Sequence, residues 1–423
     1  MMKINIDRLM SEVEYYGSHG LIPNEGVTRP SFSKSDYLVR KLFINQLEQM
    51  GLVVRIDPIA NIWGKLVSRN ENAQSIVIGS HLDTVPNGGK FDGALGVLVA
   101  KEIIQTLQEN SVSLNHHLEI VSFTGEEAND FNLSTMGSRA LTGKLDYATL
   151  VNTVNSTNEL LSTFVKKAGG DLEKLVEIER DDLAVYLELH IEQGKRLERN
   201  NLSVGVVNGI VGIYREKIIV EGEQNHAGTT MMNDRSDALV SASEIVFSVE
   251  RIARNVSSNA VATIGKFTVF PNTASIIPGR VELILEIRSM DRNERQVIID
   301  EIYLELANIQ EKNNVRILSE NLLDQQESIF DEEMVGILQS SAELLEIPYV
   351  TIPSMAGHDA THLTDITKTA MIFVKSIDGK SHCHQELSLP KDIEKAANTM
   401  LHALLVADKQ LHQQQQINHS TSC

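Results

Sequence analysis

Two short runs built on apolar residues, SIVIGS at 75–80 and HLEIVSF at 117–123, stand on either side of a helical stretch from Gly93 to about Asn110. A buried strand, a helix and a second buried strand in that order predict a parallel sheet joined by right-handed crossovers. AVYLEL, at 184–189, reads as a further strand. Residues 33–51 read as a helix. Ser33 and Ser35 are its cap candidates, Leu38, Leu42, Phe43, Leu47 and Met50 form one face, and Gly51 stops it. LVVRIDPIANIWGKLV reads as a hairpin.

The pattern changes after about Gly209. EKIIVEGE, AVATIGKFTVF, RVELILEIRS and VRILSE read as strands, with helices from Asp237 to Arg254 and from Arg295 to Lys312. That order is β-α-β-β-α-β, the ferredoxin-like unit. It predicts an inserted domain over 210–325, within a discontinuous α/β domain made of 1–209 and 326–412. The second segment carries MVGILQSSAELL, AMIFVKS and a final helix from Asp392. The polar tail, 413–423, reads as frayed.

A chain of 423 residues suits two domains, and 42% hydrophobic residues suffice for sizeable cores. The formal net charge of -19 argues against nucleic acid or an anionic membrane as partner. Two cysteines, Cys383 and Cys423, exclude a disulfide framework and fit a reducing cytoplasm. MMKINIDRLMSEVEYYG has helical spacing and no apolar signal core. No apolar run approaches the roughly 18 residues of a membrane span. The expectation is a soluble cytoplasmic protein.

The chemistry gathers where the strands end. SIVIGS leads into His81 and Asp83, HLEIVSF into Glu126 and Glu127, and AVYLEL into His190. In an open parallel sheet that edge binds ligands. Asp92 lies in the glycine-flanked loop GGKFDGALG. His, Asp and Glu suit zinc and similar divalent ions, and a catalytic site keeps one position open. Glu126 and Glu127 are adjacent on an extended segment, so their side chains diverge. One can ligate a metal while the other serves as a base.

GSHLDTVPNGGKFDGALGV, FTGEEANDF, LELHIEQG and NHAGTTMM resemble the di-metal amidohydrolases that remove carbamoyl groups. These are the N-carbamoyl-L-amino acid hydrolases and allantoate amidohydrolases, in the clan of co-catalytic zinc aminopeptidases and aminoacylases. The resemblance runs from about residue 5 to 410. It implies a di-zinc aminopeptidase-like catalytic domain with the inserted domain serving for dimerisation. His81 and His190 would bind one metal, Glu127 and His382 the other, and Asp92 would bridge them. Glu126 would be the general base, and Asp83 would orient the imidazole of His81. Gln193, His226, Asn272 and Arg288 match substrate-holding positions, with Arg288 suited to a substrate carboxylate. A histidine at 190, where related peptidases carry a carboxylate, favours the carbamoylase branch. The implied cofactors are two divalent ions per subunit, zinc or manganese, with cobalt or nickel also suitable. The implied partner is a second copy of the chain, with His226 reaching into the partner's site.

Some residues depart from that pattern. SHCHQE carries His384 where the family often has proline, and alternate strand residues share a face, so His382 and His384 compete as the last ligand. His382 is preferred because it follows Ser381. His358 and His362 stand at i, i+4 in AGHDATHL, a spacing that can also ligate metal; the expectation is that His358 and Asp359 support the ligands or hold their loop, and that His362 is structural. His116 and His117, beside the turn residues Ser113 and Asn115, are expected at the surface. An aminoacylase or dipeptidase is the rival activity.

Overall fold

The computed structural model describes residues 2–421. The chain divides into two units, one made of 1–208 with 329–423 and one of 209–328. Both combine helices with a sheet, in a mixed α/β fold.

In the first unit, four parallel strands stand side by side in the order Lys368–Val374, Leu183–Ile191, Ser75–His81 and His117–Phe123. The hairpin Val53–Ile56 and Ile62–Leu66 extends the sheet antiparallel beyond His117–Phe123. Every residue of Ser75–His81 and of His117–Phe123 is buried, as strands covered on both faces require. The register sets His81 opposite Phe123 and His190 opposite Phe373. The helix Ala94–Glu109 packs on this sheet with nearly all its residues buried. The helices Ile6–Ser18 and Pro390–Thr421 pack against it in turn.

Three details differ from the sequence reading. Ser33 alone caps the helix Lys34–Gln49, and the buried face is Asp36, Val39, Arg40, Phe43 and Leu47. Leu38 is 61% exposed, because the core selects the stripe that includes Arg40, whose guanidinium reaches Thr124. His116 and His117 are buried rather than at the surface. His116 Nδ1 lies 2.9 Å from Asp408 Oδ1, and His117 Nδ1 accepts from the Ser68 amide at 3.0 Å. The last helix runs Pro390–Thr421, through most of the stretch 413–423 read as frayed, of which 422–423 lie outside the described residues.

The second unit is a four-stranded antiparallel sheet in the order Val261–Phe270, Arg280–Ser289, Gly212–Glu221 and Arg316–Gln325. In chain order this is second, third, first, fourth, with helices Ala238–Val256 and Arg292–Asn313 inserted as β-α-β-β-α-β requires. Asp237 and Asp291 cap the two helices by accepting backbone N–H bonds. Alternation decides the faces of Arg280–Ser289. Val281, Leu283, Leu285 and Ile287 enter the core beneath the helices, while Arg280, Glu282, Glu286 and Arg288 face away. No helix among the described residues is long and apolar enough to cross a membrane.

Candidate active site

Three parallel strands bring their C-terminal ends to one edge of the first unit's sheet, and each ends in a titratable group. Ser75–His81 ends on His81, Leu183–Ile191 holds His190 one residue from its end, and His117–Phe123 opens into Glu126 and Glu127. Asp92 comes from the loop before the helix Ala94–Glu109. His382 comes from the irregular segment between Lys368–Val374 and the last helix.

Asp92 lies at the centre. Its Oδ1 is 3.2 Å from His190 Nε2 and 3.7 Å from His81 Nε2. Its Oδ2 is 3.4 Å from His382 Nε2, which is itself 3.2 Å from Glu127 Oε1. The carboxylate is therefore shared between two groups of candidate ligand atoms, His81 with His190 and Glu127 with His382. Glu126 stands beside the first, its Oε2 3.6 Å from His81 Nε2 and its side chain 11% exposed. The neighbouring acids stay close, since a carboxylate oxygen of each and a ring nitrogen of His81 lie within 4.8 Å of one another, but Glu127 alone also joins Asp92 and His382. His81 Nε2 and Glu127 Oε1 are buried without a hydrogen-bond partner. Lone pairs are rarely left so in a protein interior, and a cation on each group would satisfy them.

The surrounding bonds hold these atoms in place. His81 Nδ1 is 3.0 Å from the backbone carbonyl of Asp83, whereas the Asp83 carboxylate is 3.7 Å away. Asp83 Oδ2 instead accepts the amide of Glu127 at 3.2 Å and the hydroxyl of Ser31 at 2.8 Å. Asp83 therefore steadies His81 through its main chain and Glu127 through its side chain. His190 Nδ1 is 3.0 Å from the carbonyl of Ile191. Gln193 sits at φ +56 and donates from Nε2 to Asp92 Oδ2 at 2.7 Å.

Electrostatics follow from burial and from this crowding. Burial opposes ionisation of Asp92, but His190, His382 and His81 outweigh it and hold the carboxyl well below its usual range. Glu126 is pushed well above its usual value by burial, then by Glu127, Asp359, Asp83 and Asp92. The nearby carboxylates of Asp92 and Glu127 raise His382 to about 10. His190 rises to about 9, the pull of Asp92 exceeding the cost of burial. Burial and the adjacent His190 lower His358 well below its ordinary value.

His382 and His384 are not placed by strand alternation, because residues 382–385 form bends and turns and His382 has φ +56. His384 joins no ligand group among the described residues. The rings of His358 and His190 meet edge to face at 4.4 Å, and His358 Nε2 is 3.0 Å from Ser354 Oγ. Asp359 accepts from Ser138 Oγ at 2.5 Å. His362 Nε2 lies 2.9 Å from Thr135 Oγ1, away from the ligand groups. Behind His190 the buried Glu188 accepts from Ser80 Oγ at 2.8 Å, Tyr186 Oη at 3.0 Å and the Ala360 amide at 3.1 Å. The sequence reading assigns no role to Glu188 or Glu386, and uses Ser381 only to choose His382. A buried acid two residues before His190 was the available signal for the first.

His226, Asn272 and Arg288 belong to the second unit. His226 is exposed in a short strand, and its Nδ1 accepts the Gly228 amide at 3.0 Å. Asn272 has φ +58 in an exposed loop. Arg288 donates from Nε to Glu286 Oε1 at 2.8 Å.

The fold and this cluster define a hydrolase, and residues 77–406 match the model of peptidase family M20/M25/M40. The chain belongs to that family. It is 35% identical to the N-carbamoyl-L-amino acid amidohydrolase of Geobacillus stearothermophilus, over 94% of this chain and 97% of that one. It is 32% identical to allantoate deiminase 1 of Glycine max, over 86% and 81%. An amidase of the hydantoinase/carbamoylase family from Burkholderia multivorans superposes with a TM-score of 0.90 at 30% identity, covering 96% of this chain and 98% of that one. The chain is an amidohydrolase of this family.

Proposed function

We propose that the protein hydrolyses a linear, non-peptide C–N bond in an N-carbamoyl-L-amino acid or allantoate, releasing ammonia and carbon dioxide. The observation that supports it best is the division of the Asp92 carboxylate between His81 with His190 and Glu127 with His382. Each group would hold one divalent ion, zinc or manganese, with cobalt and nickel also suited to mixed nitrogen and oxygen donors. Bound there, two such ions polarise a ureido carbonyl and lower the pKa of an attacking water.

The chain's own residues do the rest. Glu126 takes the water proton on its carboxylate and returns it to the departing nitrogen. Arg288 holds the substrate carboxylate with its planar fork, oriented through its Nε bond to Glu286. Gln193 and Asn272 position the remainder of the substrate. His226 donates to the oxyanion as a preorganised group. The second unit pairs with its counterpart in a homodimer, and His226 acts across that interface.

The test begins with chelator-treated protein. Manganese, zinc, cobalt and nickel are added back singly, and ammonia release is measured from N-carbamoyl-L-amino acids and allantoate. Free amine is measured in parallel from N-acyl amino acids and dipeptides. Full turnover without metal rejects the two-ion site. Amine release with no ammonia release assigns the chain to the aminoacylase or dipeptidase activity instead.

A further inference from the structure

Asp92 can face two ligand groups at once only if its backbone is fixed, and it lies in a loop rather than a strand or helix. What fixes it is Glu386. That side chain is 6% exposed, and its Oε1 accepts the amides of Phe91 at 2.9 Å and Asp92 at 3.0 Å. Ser381, five residues earlier, donates from Oγ to Asp92 Oδ2 at 2.6 Å and lies 3.0 Å from Glu386 Oε2. A hydroxyl has a single proton, and the shorter contact takes it, so Ser381 holds the Asp92 carboxylate while Glu386 holds its main chain. A second observation is independent of these bonds. Any side-chain carbon at Gly89 would overlap the Glu386 carboxyl, so Gly89 leaves the space that Glu386 fills. The segment 381–386 therefore supplies one candidate ligand, His382, and both of these holds on Asp92.

We propose that Glu386 is a positioning residue that sets the Asp92 carboxylate across both ion positions, so that losing its reach weakens both ions together. This rests on the two-ion reading above. The reason is geometric. Removing the acceptor leaves two buried N–H groups unpaired, and the loop must move to satisfy them. Movement of Asp92 withdraws Oδ1 from His81 and His190 and Oδ2 from His382 together.

Three variants separate reach from charge. Glu386→Gln keeps the carbonyl oxygen at full length, Glu386→Asp keeps the charge but is one methylene short, and Glu386→Ala lacks both. Manganese(II) is titrated into chelator-treated full-length protein by equilibrium dialysis, with circular dichroism and the melting temperature of the metal-free form recorded alongside. Glu386→Asp and Glu386→Ala should bind both ions about 10–100-fold more weakly, the range for residues that support ligands. Glu386→Gln should stay within a few-fold of wild type. A merely structural role would lower the metal-free melting temperature and leave the affinities unchanged. The proposal is overturned if Glu386→Asp binds two ions as tightly as wild type, if Glu386→Gln loses as much as Glu386→Asp, or if one ion alone is weakened. Should Glu386→Ala fail to fold, the Asp and Gln pair still decides. If wild-type protein itself binds neither manganese nor zinc, cobalt or nickel in the same dialysis, it is the two-ion reading that fails.

Discussion

Arg288 lies near one end of the second unit's antiparallel ladder, and His226 lies past its other end, in a separate two-stranded sheet. Arg288 pairs with Ile213, Arg280 pairs with Glu221, and the chain then continues to the pairing of His226 with Ile276. The eight residues from Arg288 to Arg280 span ~27 Å at ~3.4 Å per residue. A small substrate is shorter than that span, which parts Arg288 from the end of the ladder where the chain leads on to His226. If both serve one reaction, they come from two chains, as a two-fold dimer allows. Inactive Glu126→Gln chains co-expressed with inactive His226→Ala chains should then regain activity. A mixed dimer has one site with both defects and one with neither, so an even mixture returns roughly a quarter of wild-type activity under random closed pairing. Mixed dimers that form yet stay inactive would show that His226 does not act in trans.

Glu126 lies beside His81, whereas Glu127 also reaches His382 at 3.2 Å. Glu126→Gln should therefore retain bound metal and lose turnover by about 10²–10⁴-fold, the usual weight of a general base. Glu127→Gln should instead lower metal content. Metal analysis of both purified variants beside their kcat values checks the pair. Near-normal turnover of Glu126→Gln at saturating metal would remove it from the base role.

Gly93 follows Asp92 at φ +62, and a side-chain carbon there would overlap the His81 ring. Gly93→Ala thus meets both backbone strain of about 1–3 kcal/mol and a displaced imidazole. The variant should fold but lose metal at the His81 and His190 position, with turnover falling about 10–100-fold as when a ligand's support is removed. Unchanged metal content and turnover would mean that the loop shifts without cost.

How much of this was legible in the sequence depended on whether a residue's partners were local. His81, Glu126, Glu127 and His190 stood out because apolar strands run directly into them, a pattern set within a few residues. Glu386 had no such frame. It sits in an irregular loop, and its partner Asp92 is 294 positions away. The same cause misplaced His116, whose turn-like neighbours suggested the surface while Asp408, 292 positions on, draws it inside. In the helix Lys34–Gln49 the apolar residues alone suggested a face with Leu38, but the sheet turns that helix so that Asp36 and Arg40 are covered. Alternation likewise could not place His382 and His384, since their segment is not a strand.

Asp408 joins the last helix to the start of His117–Phe123. Its carboxylate accepts the amides of Asn115 at 3.0 Å and His116 at 2.9 Å, the Asn115 side chain at 2.8 Å, and approaches His116 Nδ1 at 2.9 Å. Asp408→Ala leaves these donors buried and unpaired, at about 1–3 kcal/mol for each that water cannot reach. Asp408→Asn keeps an acceptor oxygen and should cost less. The single tryptophan, Trp63, is buried in the hairpin strand beside His117–Phe123, so its fluorescence in urea follows the unit that contains Asp408. Burial raises the Asp408 pKa, but the bonds from His116 and Asn115 outweigh it and the net shift is downward. A carboxyl depressed in the folded state contributes stability above its unfolded value of about 3.9, and that contribution is lost as pH falls through the folded value. The stability gap between wild type and Asp408→Asn should therefore be full at pH 7 and narrow below about pH 4. A gap that stays constant from pH 7 to pH 3 would mean that the Asp408 charge contributes nothing to holding the helix on the sheet.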